Sequence, residues 1–271
     1  MSLSPTYRST LALVSVLAAA ACSSSGGTGN SGGASATSTT AAATGGAAST
    51  TGAGGGAVTA SASVTASASS GGPGAPTAAD LLALVTACNA VSMGNYATDS
   101  DPGLPANISI CGLKGAVFWK ADLDVDCDGK QSAQCNLQTD PAFQAQTSAT
   151  DSNGDPLDAA TLPYVVVPLP SSRFDYAAAG LSFGSVIAVI YQGKVEYGVF
   201  GDEGPKAIIG EASYAMAASL GIDPDPSTGG TDSGVTYIAF TGAGAVVPKI
   251  EDHPAAVTLG QQLAATLITA N

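Results

Sequence analysis

Carboxylates at two places in this 271-residue chain stand in patterns suited to chemistry. One is a row, Asp122-Leu-Asp124-Val-Asp126-Cys-Asp128-Gly. The other is Asp202, Glu203 and Glu211, within Gly201-Asp-Glu-Gly-Pro-Lys-Ala-Ile-Ile-Gly-Glu211. Two carboxyl groups at a fixed separation are what hydrolysis of a glycosidic bond needs. Taken alone, Asp202 reads as a turn residue bonding its own backbone, and Glu211 as a charge at a helix N-terminus. Glu203 follows Asp202 directly and is expected to point elsewhere. On a strand, Asp122, Asp124, Asp126 and Asp128 share one face, with Leu123, Val125 and Cys127 on the other. Like charges in such a row are costly unless something neutralises them. One reading is a calcium loop, because Asp124-x-Asp126-x-Asp128-Gly129 begins like an EF-hand. Cys135 stands where that loop needs a bidentate Glu, so the full motif fails. The other readings are a floor for cationic groups and a solvated strand end held by a disulfide.

The elements around these residues read as mostly strand. Runs rich in Val, Ile and aromatics, bounded by Gly, Pro or Asp, fall at 116–125, 164–167, 186–191, 195–200, 236–240 and 245–247. Gln192-Gly193 predicts a hairpin turn. Gly201 to Pro205 predicts a turn that takes Asp202 out of strand 195–200. Helices are expected at 81–90, capped by Asp80, at 211–220, and at 255–270 after Pro254. Six or so strands with few helices, in one small domain, suggest a closed barrel.

Composition divides the chain in three. Residues 1–22 read as an export signal, with Ala19-Ala-Ala-Cys22 as a possible bacterial lipoprotein site. Residues 23–78 are almost entirely Gly, Ala, Ser and Thr and have nothing to bury, which predicts a flexible linker. Residues 79–271 form the expected domain. They hold all 21 acidic residues but only seven of the eight basic ones, a net charge of 7 − 21 = −14. That balance argues against nucleic acid and anionic lipid, and suits a cationic ligand. A membrane enters only through a lipid at Cys22. The location expected is extracellular or the cell surface of a bacterium. Cys88, Cys111, Cys127 and Cys135 are an even set, read as two disulfides with three possible pairings. The shortest loops favour Cys88–Cys111 and Cys127–Cys135. Zinc is disfavoured, because there is no Cys-x-x-Cys and His253 is the only histidine. His253 itself reads as structural. Trp119 and Tyr197 are aromatic candidates for stacking on a sugar ring, against the alternative of core packing.

Five segments carry a resemblance to a known family. They are Gly193 to Ala217 around the Asp202/Glu211 pair, Ala116 to Gly129, Pro163-Tyr-Val-Val-Val-Pro168, Ser233 to Gly242, and Ile250-Glu-Asp-His253. Together they resemble the fungal-type chitosanases, glycoside hydrolase family 75, over roughly residues 85–265. The resemblance implies an endo-acting, inverting hydrolase of β-1,4-glucosaminide bonds in chitosan. That chemistry requires no cofactor, no metal is expected, and the chain is expected to be a monomer. It implies Asp202 and Glu211 as the essential pair. It favours Asp122, Asp124 and Asp126 as a binding floor, with Trp119 and Tyr197 as stacking residues. The Gly-Asp-x-Gly turn and short helix look like a double-psi β-barrel. The competing reading is a non-catalytic polysaccharide- or wall-binding lipoprotein domain.

Overall fold

A computed structural model describes residues 74–271. The expected signal, Cys22 and nearly all of the linker lie outside the described residues. Six strands close into a ring. They are β2 (Ala116–Asp126), β6 (Glu211–Ser213), β3 (Tyr164–Pro168), β5 (Lys194–Gly204), β4 (Val186–Tyr191) and β7 (Thr231–Phe240), in that order, and β7 pairs back onto β2. A short outer strand, β1 (Cys111–Leu113), lies antiparallel to β2. Among the described residues there are three α-helices: α1 (Ala78–Leu84), α2 (Tyr214–Leu220) and α3 (His253–Ala270). The fold is therefore mainly β, a closed six-stranded barrel with one outer strand and three helices. Two parallel pairs, β2 with β6 and β3 with β5, sit in an otherwise antiparallel ring. They set it apart from an up-and-down barrel.

Both faces of the ring are apolar, which is why the strand sequences read as near-continuous Val, Ile and aromatic runs. Val117, Trp119, Val165, Ile187, Phe200, Ala212 and Tyr237 pack on one face with Met216, Ala217 and Leu220 of α2. Phe118, Tyr164, Val166, Ala188, Val199 and Ile238 pack on the other with Ala256, Ala264 and Leu267 of α3. The β4–β5 hairpin turns at Gln192 and Gly193, both at positive φ (47° and 82°). That pair of left-handed residues matches the twist of the flanking strands.

Several expected boundaries move, each for a local reason. The run at 245–247 is not a strand. Ala243–Ala245 is a 3-10 turn, and Val246 makes only an isolated bridge to Ser185. The sixth barrel strand is β6, expected as the start of a helix. The helix begins later because Ser213 is its N-cap, its hydroxyl accepting from Met216 N at 3.2 Å. At α1 the cap is Thr77, with Asp80 at the third position of a capping box, so that helix starts and ends earlier than 81–90. The expected turn at 201–205 is strand as far as Gly204. In its place the β3–β5 register shifts between Val165 and Val166, a bulge at Gly201. A side chain at Gly201 would stand 2.7 Å from Tyr164 Cβ, so the close approach there requires glycine. Cys88 bonds Cys111 and Cys127 bonds Cys135, the pairing with the shortest loops.

Candidate active site

The bulge decides where Asp202 points. Bulges re-aim the side chains that follow them. After Gly201, Asp202 pairs with Val166, Glu203 with Val167 and Gly204 with Pro168. Asp202 and Gly204 therefore share the α3-side face of the ring, and Glu203 takes the opposite face, where Tyr176 Oη donates to its Oε1 at 2.8 Å. β6 runs parallel to β2 with Glu211 opposite Asp124 and Ser213 opposite Asp126. Side chains of paired residues project from the same face. A Cβ on Gly204 would stand 2.7 Å from Glu211 Oε2. The Glu211 carboxyl thus lies over Gly204, two residues along β5 from Asp202. Asp124, Asp126, Asp202 and Glu211 form one site where β2, β6, β3 and β5 adjoin.

The two central carboxyls differ in how they are held. Asp202 is buried, and its Oδ1 accepts from Ser148 N at 2.8 Å and Glu203 N at 2.7 Å. Burial pushes its pKa up, and the bonds from Ser148 and Glu203 oppose that rise. Glu211 is partly exposed, and among the described residues no donor reaches its carboxyl. Burial holds its pKa well above the ordinary range. The charges of Asp126, Asp124, Asp122 and Asp128 add to that.

The aspartate row supplies the surroundings. Asp126 Oδ1 accepts from Asp128 N at 2.7 Å, a turn that ends β2. The Tyr164 hydroxyl lies 2.9 Å from Asp128 O and 3.3 Å from Asp126 Oδ2, and donates to both. Burial, then the charge of Asp202, pushes Asp126 up to about 7. Burial and Asp126 push Asp128 up to about 8. Burial, with Asp99 and Asp232, pushes Asp124 up to about 6. Among the described residues no Lys or Arg forms an ion pair with any of these groups. The site is an uncompensated concentration of carboxyls. Among the described residues no three His, Cys, Asp or Glu side chains are grouped to hold a metal ion.

Part of the expected row is placed differently. Asp124 and Asp126 face the site, and Leu123 packs on the α2 side as predicted. Cys127 packs on the α3 side instead, because the strand has ended at Asp126. Asp122 is not a binding floor: it is 5% exposed, and its Oδ1 is buried without a partner. That oxygen is packed so tightly on Gly210 that any side chain there would collide with it. Trp119 is not a sugar platform, being 1% exposed and stacked on Tyr237 with ring centroids 5.2 Å apart. Tyr197 is likewise core. It is 3% exposed and packed so closely on Gly260 of α3 that a side chain there would strike its ring. His253 pairs with buried Glu196 at 2.9 Å, away from the acid row. Ser148 and the Tyr164 hydroxyl belong to the site without having been predicted. Tyr164 lies in the Pro163–Pro168 motif, but only the fold shows that its hydroxyl reaches the acid row. Ser148 has no sequence signal beyond a loop.

A family model described as "Fungal chitosanase of glycosyl hydrolase group 75" matches residues 123–264, just over half of the chain and including Asp124, Asp126, Asp202 and Glu211. The chain belongs to glycosyl hydrolase group 75. "Endo-chitosanase B" of Aspergillus oryzae is 35% identical over 157 residues, 52% of this chain and 65% of its own length. "Endo-chitosanase" of Aspergillus fumigatus is 30% identical over 163 residues, 55% of this chain and 68% of its own. The aligned regions thus cover about two thirds of the length of these two relatives. A solved Streptomyces papain inhibitor is similar over 45% of this chain and 94% of its own, at 18% identity and a TM-score of 0.27, too distant to bear on fold or function. The Aspergillus relatives and the fungal family description overturn the expected bacterial cell-surface lipoprotein.

Proposed function

We propose that this group 75 chain is an endo-chitosanase, hydrolysing internal β-1,4-glucosaminide bonds of chitosan with Asp202 and Glu211 as its acid–base pair. The observation that carries the reading is the convergence of these two carboxyls on one barrel face among acids that no Lys or Arg of the described residues pairs with. A polymer of ammonium-bearing sugars supplies the missing positive charge, and Asp124 and Asp126, partly exposed beside Glu211, are placed to meet it. No cofactor is required by this chemistry.

The different surroundings assign the roles. A general acid must keep its proton until the bond breaks, so its pKa must be raised; a base must be ionised. Glu211, without donors and ringed by carboxylates, is the acid, giving its proton to the leaving glycosidic oxygen. Asp202, whose ionised form is held by two backbone N–H groups, is the base, taking a proton from the water that attacks the anomeric carbon. This reverses the assignment that a helix N-terminal Glu211 would favour, because Glu211 is on strand β6, ahead of the α2 cap Ser213 and outside the first turn of the helix. Inversion, which the resemblance to the family implies, is the stereochemistry proposed; it requires the two carboxyls to stand about 6.5–9.5 Å apart to admit a water.

A reducing-end assay on soluble chitosan tests the activity. New reducing ends with a rapid fall in chain length support an endo-hydrolase. Binding without turnover supports the non-catalytic reading.

A further inference from the structure

Resting on the chitosan-hydrolase reading, we propose that Asp126 is the acid that demands a free amine on a sugar beside the scissile bond, and that Tyr164 is the residue positioning it. Both oxygens of Asp126 are held by the chain itself. Asp128 N donates to Oδ1 at 2.7 Å, and the Tyr164 hydroxyl donates to Oδ2 at 3.3 Å while reaching Asp128 O at 2.9 Å. Donors on both oxygens fix the plane of the carboxyl, yet each oxygen keeps a lone pair for a ligand. Asp126 is partly exposed, so a ligand can meet it. Its place is central. It pairs with Ser213, two residues along β6 from Glu211, and the charge of Asp202 acts on it before that of any other acid.

Tyr164 is fully buried, so it acts on a substrate only through Asp126. It is anchored on both sides. Its Cβ packs against Gly201, at the bulge that aims Asp202, and its N donates to Ser213 Oγ at 3.0 Å. The end of β2, the strand bearing Glu211 and the strand bearing Asp202 are thereby joined through one side chain. Asp124 differs, because among the described residues its carboxyl receives no donor. A fixed carboxylate selects among ligands better than one that follows them. A glucosamine ammonium offers three N–H donors and a full positive charge. An N-acetyl group offers one N–H, no charge, and a carbonyl oxygen that a carboxylate repels. Asp126 held in one orientation therefore separates the two sugars.

The test is digestion of partly N-acetylated chitosan by the wild type, Tyr164→Phe and Asp126→Asn, with NMR measuring the share of N-acetylated sugars at the new reducing and non-reducing ends. The wild type should leave one of those two ends almost free of N-acetyl groups. Tyr164→Phe keeps the buried ring and should raise the N-acetylated share at that end by about 2–10-fold, the scale of one net hydrogen bond. Asp126→Asn should raise it at least as far. A slower Tyr164→Phe enzyme with an unchanged share overturns the positioning role of Tyr164 and leaves it a structural residue. An unchanged share in Asp126→Asn, or a wild type with no preference at either end, overturns the inference while hydrolysis stands. A wild type that makes no new ends overturns the chitosan-hydrolase reading, and this inference with it.

Discussion

Asp202 and Glu211 are two carboxyls on one face of one barrel, and their strands treat them in opposite ways. Asp202 follows a bulge that delivers it to two N–H donors. Glu211 sits on a three-residue strand between the aspartate row and Gly204 and receives no donor among the described residues. Position in a sheet fixes which groups meet. Access to donors then separates an acid from a base.

The largest effect should come from breaking either member. Asp202→Asn and Glu211→Gln are each expected to lower kcat/KM on soluble chitosan by about 10²–10⁴-fold, with circular dichroism unchanged. A variant with near-normal turnover removes that residue from the chemistry.

Next is the spacing between them. Gly204→Ala places a methyl 2.7 Å from Glu211 Oε2 and 2.9 Å from Val166 Cγ1. A displaced general acid should cost about 10²-fold in rate, the scale of a misplacement near 1 Å. Full activity would show that Glu211 has room to move and that Gly204 does not set its place.

A smaller effect is expected on stability. Burial and the neighbouring Asp124 push Asp122 up to about 8, far above the ordinary carboxylate range. A carboxyl whose folded pKa is raised favours the fold below its unfolded pKa, and that contribution is lost as pH rises through the folded value. The melting temperature should therefore fall between pH 4 and 8. Asp122→Asn, which cannot ionise, should flatten that fall. An equally steep fall in the variant would assign it to other groups, with Asp124, Asp126 and Asp128 first in line.

Smallest is the long-range term. With 21 acidic residues against eight basic ones, a polycation should be steered to the site, and kcat/KM on chitosan should fall modestly as salt rises. A salt-independent rate would leave only contact interactions with the substrate.

Much of this was legible in sequence, because strand periodicity and the acid spacing are local. Five of the six barrel strands, the hairpin at Gln192-Gly193 and the alternation of Asp122 to Asp126 follow from residue order. The rest depended on contacts between distant segments. Whether Glu211 starts a helix or forms a strand is decided by Ser213 as cap and by parallel pairing to β2. Burial of Trp119 and Tyr197 is decided by Tyr237 and by Gly260 of α3. The strand–bulge–strand at 199–204 read as a turn because Gly-Asp-Glu-Gly-Pro has turn composition. Its glycines instead answer close approach to Tyr164 and Glu211.

The contrast between the two carboxyls is tested most directly with a glucosamine oligosaccharide bearing fluoride as its leaving group. Fluoride departs with little help from a proton donor, so an enzyme lacking only its general acid can still turn it over. Glu211→Gln should hydrolyse the fluoride at a rate near that of the wild type while remaining inactive on chitosan, and Asp202→Asn should be inactive on both. Rescue of Asp202→Asn by the fluoride, with Glu211→Gln inactive, would contradict the assignment and make Asp202 the acid.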